Sequence, residues 1–208
     1  MMRISFLLTL ALAARAEDTS ESILARLQAG NARHVSGKYK REHQSVNRRV
    51  ELAVGQHPSV IVLSCSDSRV PPEIVFDQGL GDLFVIRVAG NVVEPAGLAS
   101  IEYAAEHFHS PVIVVLGHER CGAVDAAVKG GEAPGHIGEL VKAIQPAVNA
   151  AASKPGDKVD NSVIENVRMM AEKLRTSRPI LAELAEKGKI KVVGGRYDLD
   201  TGVVTWLQ

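Results

Sequence analysis

Two short polar segments hold most of the reactive side chains of this sequence: Cys65-Ser66-Asp67-Ser68-Arg69 and His118-Glu119-Arg120-Cys121-Gly122. Each follows an apolar run, Val60-Ile61-Val62-Leu63 in one case and Val112-Ile113-Val114-Val115-Leu116 in the other. Runs of β-branched and aliphatic residues bounded by Pro or Gly read as buried strands of a parallel sheet. Polar residues leaving the carboxyl ends of such strands lie where open α/β sheets place their ligand crevices. If the two strands are neighbours, Cys65, His118 and Cys121 meet at one point. Two thiolates and an imidazole are a donor set suited to zinc, and three protein ligands leave a fourth position open, as in catalytic rather than structural sites. The competing reading is a Cys65–Cys121 disulfide, because the chain has only these two cysteines. His118, three residues before Cys121, and Asp67, two after Cys65, favour the metal; a covalent staple needs neither.

The elements that must position these groups alternate along the chain. A helix from about Thr19 to Val35 carries Ile23, Leu27 and Leu24 as its apolar stripe, with Thr19 to Ser22 supplying caps. The polar segment from Ser36 to Asn47 reads as an arm. Strands follow over Val60 to Ser64, Leu83 to Val88 and Val112 to Leu116, with a helix from about Gly97 to His109 before the third. Strand–helix alternation implies parallel strands joined by crossovers. Helices at Gly122 to Val128, His136 to Ala152, Asn161 to Thr176 and Pro179 to Lys187 come next. Lys189 to Tyr197 and Gly202 to Trp206 then read as a hairpin. The fold class is therefore α/β, a mainly parallel β-sheet flanked by helices with a C-terminal antiparallel edge strand, in a single domain over residues 17–208.

Composition narrows the function. The 208 residues are 46% hydrophobic and 23% charged with a formal net charge of zero. That is enough for one core, with no basic stripe for nucleic acid and no acidic tail. Arg3, an apolar stretch from Ile4 to Ala14 and then Ala14-Arg15-Ala16 describe a secretory signal peptide over residues 1–16. The expectation is an exported, periplasmic or secreted protein beginning at Glu17, with no membrane anchor. His107 and His109 read as helix-end surface residues, since an H-x-H pair does not share one helical face.

The motif set Cys65-x-Asp67-x-Arg69-Val70-Pro71, Arg87, Asn91, Ile101-Glu102-Tyr103-Ala104 and Gly117-His118-x-x-Cys121-Gly122 resembles that of the β-class carbonic anhydrases. The likeness is close from about Leu52 to Val128 and extends in general layout beyond. It implies a homodimer that pairs again in some members, with the helix and arm of residues 19–47 packed on the neighbouring subunit. It also implies one Zn²⁺ per subunit on Cys65, His118 and Cys121, and reversible hydration of carbon dioxide to bicarbonate and a proton through zinc-bound hydroxide. Asp67 would accept a hydrogen bond from that hydroxide, and Arg69 would pair with Asp67, keeping it ionised and off the metal. Gln78 would donate to substrate from the neighbouring subunit, or else is only a polar turn residue. Tyr103 would line the pocket, or else is ordinary core. Gly122 would let backbone approach the metal at the start of a helix, or else is a turn residue.

In some members the matching aspartate closes onto the metal, a state favoured by a Trp where this chain has Val62. Arg87 matches another part of that pocket. The expectation is the open state, with Asp67 off the metal at neutral pH. Hydrolysis of carbonyl sulfide or carbon disulfide on the same scaffold, and a non-enzymatic thiol-redox or structural-zinc role, remain open alternatives at this point.

Overall fold

The computed structural model describes residues 19–207, so the predicted signal peptide lies outside the described residues. Among the described residues no helix is long and apolar enough to cross a membrane.

The centre of the molecule is a five-stranded sheet in the order β2-β1-β3-β4-β5. Strands β1 (Val60–Ser64), β2 (Leu83–Arg87), β3 (Val112–His118) and β4 (Lys191–Tyr197) are parallel, and β5 (Val204–Leu207) runs antiparallel to β4. Strands β1 and β3 are buried at every residue, as expected of central parallel strands covered on both faces. Alternation then sorts their side chains. Ile61, Leu63, Ile113 and Val115 face a core completed by Ile101, Val167, Leu174 and Leu181. Val60, Val62, Val112, Val114 and Leu116 face Ile23, Leu27 and Phe76.

Helix α1 (Ser20–Ser36) covers this second face. Thr19 caps it by accepting from the Ser22 N–H at 3.1 Å, and Gly37 ends it in the left-handed region. One buried side chain ties the helix to the segment after β1 and to the C-terminal hairpin. Asn31 Nδ2 donates to Val75 O at 3.2 Å and Gly202 O at 2.8 Å, while its Oδ1 accepts from the Val204 N–H at 2.9 Å. The opposite face is covered by α4 (Pro95–Phe108), α7 (Lys158–Arg175) and α8 (Ile180–Glu186). Helices α5 (Gly122–Lys129) and α6 (Ile137–Ala151) pack beside them.

The sheet reverses its order between β1 and β3. From β1 the chain moves outward to β2, then returns past β1 to β3 and continues to β4 on the other side. A crevice opens at such a switch point.

The architecture matches the sequence reading, with local differences. Two short helices escape the periodicity. Helix α2 (Val46–Leu52) falls at the end of the predicted arm, buries no residue and is too short for its Val46 and Val50 to mark a stripe. Helix α3 (Pro72–Val75) is a single turn begun by a proline. Helix α7 starts at Lys158 rather than Asn161, because Asp157 caps it by accepting from the Asp160 N–H at 2.7 Å. Strand β3 extends to His118, which places that imidazole on the sheet itself.

Replacing Asn31 with Ala removes all three of its bonds and leaves buried backbone groups unmatched, each costing about 1–3 kcal/mol. Asn31→Ala is expected to lower unfolding stability by about 3 kcal/mol, read as a lower urea midpoint with an unchanged slope. A loss below about 1 kcal/mol would mean that water takes over these groups.

Candidate metal centre

β1 and β3 pair directly, Val60 with Val112 through Ser64 with Leu116. Cys65 therefore leaves β1 beside the end of β3, where His118 sits. Cys121 follows as the cap residue of α5. The donor atoms of Cys65, His118 and Cys121 all lie within 4.8 Å of one another, and all three residues are buried. The two sulfurs are 4.0 Å apart and both thiols are free. A disulfide needs about 2.05 Å, whereas two thiolates at about 2.3 Å from one tetrahedral zinc lie roughly 3.8 Å apart. The spacing fits the metal and not the covalent alternative.

The histidine is set in the matching tautomer. His118 Nδ1 lies 2.7 Å from Glu119 O, and because a carbonyl only accepts, Nδ1 carries the proton. Nε2 then presents its lone pair to the sulfurs. It is fully buried and has no hydrogen-bond partner among the described residues, which a structure tolerates poorly unless something is coordinated there.

The sulfurs share a proton unequally. The Cys121 S–H donates to Cys65, and with the N–H groups of Asp67 and Gly90 this outweighs burial and brings Cys65 down to about 4. Cys121 is pushed well above the usual thiol range, first by retaining that proton, then by burial and the charge on Cys65. The Gly90 N–H reaches Cys65 Sγ at 3.3 Å. Gly90 adopts φ 71°, a conformation that favours glycine, in the single turn Ala89–Asn91 after β2.

Asp67 stands beside this group with its Oδ2 3.8 Å from His118 Nε2. Arg69 clamps it from the other side, Nε to Oδ1 at 2.9 Å and Nη2 to Oδ2 at 2.7 Å, and the Arg69 N–H adds a third bond at 2.9 Å. The guanidinium holds the Asp67 carboxyl well below the usual carboxylate range despite partial burial. Asp67 is therefore an acceptor at every physiological pH.

The remaining predicted residues are not among the converging donors. Gln78 is buried, and its Nε2 donates to Phe76 O and Asp77 O at 2.9 and 3.1 Å. It lines a cavity of about 620 Å³ beneath the arm, with Arg26, Arg33 and Asp77. Tyr103 is 49% exposed and stacks on His107 at 4.2 Å, so it is not core in this subunit. Gly122 is exposed at the start of α5, where an added Cβ would meet open space. His107 and His109 are exposed, with His109 ending α4 in the left-handed region.

Three contributions escaped the sequence reading. Arg87 braces the Cys65 loop, donating to Cys65 O at 2.9 Å and Asp67 O at 2.5 Å. Asn166 on α7 donates to Gly90 O at 2.7 Å. The Glu119 side chain meets Arg196 of β4. Each is a long-range contact; from the sequence, Arg87 is named only in the motif set and as part of a pocket, and Asn166 and the Glu119 side chain have no role.

Comparison with known proteins points one way. A sequence model of the family "Carbonic anhydrase" matches residues 60–204. The chain is 41% identical over 180 residues to carbonic anhydrase 2 of Mycobacterium tuberculosis, covering 85% of this chain and 87% of that protein. It is 40% identical over 182 residues to the carbonic anhydrase of Mycolicibacterium smegmatis, covering 86% and 88%. One of the tetrameric β-carbonic anhydrases of Sordaria macrospora superposes with a TM-score of 0.73 at 26% identity, over 90% of this chain and 97% of that one.

The thiol pair makes a measurable prediction. Cys65 loses its proton as pH rises through about 4 and Cys121 keeps its own. Metal-free protein then carries one thiolate from about pH 5 to about pH 8, so zinc uptake is expected to release one proton per chain there. Potentiometric titration during zinc addition checks this; release of two protons would show two ordinary thiols.

Proposed function

The chain belongs to the β-class carbonic anhydrases, and from that premise we propose that it hydrates carbon dioxide reversibly on a zinc ion held by Cys65, His118 and Cys121, with Asp67 and Arg69 as the assisting pair. The observation that carries this reading is the convergence of three buried donors around a free His118 Nε2, with an ionised carboxylate 3.8 Å away.

Zinc bound there would supply a Lewis acid that lowers the pKa of a coordinated water and turns it into a nucleophile. Two thiolates cancel most of the ion's charge, so acidification is weaker than with three neutral imidazoles. The chain's own groups must then do more. Asp67, as an acceptor, would hold the hydrogen of a nucleophile at that position and so orient its lone pair toward the substrate. Arg69 occupies both Asp67 oxygens, which keeps the carboxylate ionised and would hold it off a bound metal. Val62 is fully buried in the core, and Arg87 is engaged with the Cys65 and Asp67 carbonyls. These contacts favour the open state at neutral pH. Coordination of the metal by Asp67 near pH 8, seen by zinc-edge spectroscopy, would contradict it.

Assembly belongs to the same reading. Helix α2 leaves Val46 and Val50 64% and 65% exposed, and Val54 beyond it 95% exposed. A row of valines in water favours burial against another surface. The similar protein from Sordaria macrospora is tetrameric. A homodimer or tetramer is expected by sedimentation, and Val46→Glu with Val50→Glu is expected to shift it toward smaller species. A wild-type monomer at micromolar concentration would remove this part of the reading.

Purified protein is expected to hydrate carbon dioxide, to lose that activity on complete chelation and to regain it with zinc. Cys65→Ser is expected to abolish zinc retention. Asp67→Asn is expected to keep the metal and lose about 100-fold in rate, the scale of one well-placed polar group in a transition state. Hydration that survives complete zinc removal would refute the mechanism. A zinc-loaded but inactive wild type would favour the non-enzymatic alternative.

A further inference from the structure

His118 and Cys121 are joined by only Glu119 and Arg120, and the C-terminal hairpin grips both. Arg120 adopts a left-handed backbone, φ 49°, which is unfavourable for a residue with a Cβ and persists where surrounding structure imposes it. Its guanidinium forms a two-pronged pair with Asp200 at 2.9 and 2.8 Å. Glu119 is held more tightly. Its N–H donates to Tyr197 O at 3.0 Å, extending the β3–β4 ladder by one bond. Its carboxylate accepts from Arg196 Nη2 at 2.6 Å and from the Leu199 N–H at 3.1 Å. Arg196 in turn donates from Nε to Asp160 Oδ1 at 2.6 Å, anchoring the pair to the first turn of α7. Its side chain is only 16% exposed.

These contacts converge on one atom. With the Glu119 N–H and carboxylate both fixed, its carbonyl is aimed at His118 Nδ1 at 2.7 Å. Glu119, Asp198 and Asp200 also bring acidic oxygens within 4.8 Å of one another. Arg120 and Arg196 pair with these carboxylates, so the cluster serves the clamp and is no second cation site.

We propose that Arg196 and Glu119 are positioning residues for the metal: by holding the turn between His118 and Cys121, they keep the proton of His118 on Nδ1 and its Nε2 lone pair on the metal side. The proposal rests on the zinc reading above. Without the ion pair the Glu119 carbonyl is free to turn away, and the imidazole gains access to the tautomer whose Nε2–H points at the sulfurs. That form cannot coordinate.

The test uses the full protein with Arg196→Met, Arg196→Lys and Glu119→Gln. Zinc affinity is read by competition with a chromophoric chelator. The His118 tautomer is read by nitrogen-15 NMR of metal-free protein, and thermal unfolding of metal-free protein is the control. Arg196→Met and Glu119→Gln are expected to weaken zinc binding about tenfold to 100-fold, the range for outer-shell partners of metal ligands. Arg196→Lys is expected to recover most of that loss. The tautomer is expected to be Nδ1–H in the wild type and mixed in the two weakened variants. Unchanged zinc affinity in a folded variant overturns the proposal, and so does weaker binding with the tautomer unchanged. A loss that follows a fall in the metal-free unfolding midpoint, without rescue by Lys, also overturns it. If Arg196→Met does not fold, Glu119→Gln decides, since it keeps an acceptor for the Leu199 N–H. A wild type that binds no zinc would sink the metal reading, while the NMR comparison would still decide the clamp.

Discussion

Direct parallel pairing of β1 with β3 places two residues 53 positions apart at a common edge of the sheet. Parallel hydrogen bonding keeps the strand ends level, so the loop after Ser64 and the end of β3 emerge together. Because the chain leaves β1 toward β2 and leaves β3 toward β4, nothing from either connection crosses the gap between them. The thiols and the imidazole fall into that gap. Helix α7 reinforces the arrangement by lying directly on the strand: a Cβ on Gly117 would come within 2.5 Å of Val167 Cγ2. That close approach carries the neighbouring Asn166 to the Gly90 carbonyl, and the Gly90 N–H to the Cys65 sulfur. Backbone geometry, helix packing and sulfur electrostatics are thus one connected constraint.

Charge explains why the groups come in pairs. Burying anionic sulfur is costly unless something compensates it. The protein alone offers a proton held between Cys65 and Cys121 and a few N–H groups, which satisfies one thiolate and leaves the other protonated. A divalent cation would satisfy both sulfurs and the Nε2 lone pair together. Asp67 adds another negative charge within 3.8 Å of that lone pair, and Arg69 compensates it locally. The guanidinium is 53% exposed, so its value lies in the direction it imposes on the carboxylate more than in stability. Arg69 thus gives Asp67 a counter-charge of its own, which keeps the carboxylate ionised.

The parts of this design that were legible in the sequence are those written in adjacent residues. Continuous apolar runs marked β1 and β3, and Cys65-x-Asp67-x-Arg69 with His118-x-x-Cys121 marked their ends. The hairpin at the C-terminus was legible through Asp198 to Gly202 and the flanking apolar residues. What escaped was written across distance. Asn31 joins segments 44 to 173 positions away, and an asparagine in a helix carries no sign of that. Helix α2 is only seven residues long, so its Val46 and Val50 made too short a pattern to read as a helix. Gln78 was assigned by resemblance to a substrate pocket of the neighbouring subunit, and Tyr103 to the lining of that pocket. In this chain one is bound to its own backbone and the other faces outward on α4.

The Glu119–Arg196 pair shows how position changes what an ion pair is worth. Exposed pairs contribute about 0–1 kcal/mol to stability, and by that measure several on this surface, such as Arg178–Glu186 and Lys187–Glu183, are unremarkable. Arg196 differs in its address rather than its chemistry. It bridges the start of α7 to a two-residue turn whose ends are both buried side chains with converging donor atoms. A turn that short has few backbone torsions, and one of its residues is already in a left-handed conformation. Small rotations there move the carbonyl that sets the His118 proton. The energy involved can be modest and still matter, because it acts on an orientation that coordination requires rather than on the folded state as a whole.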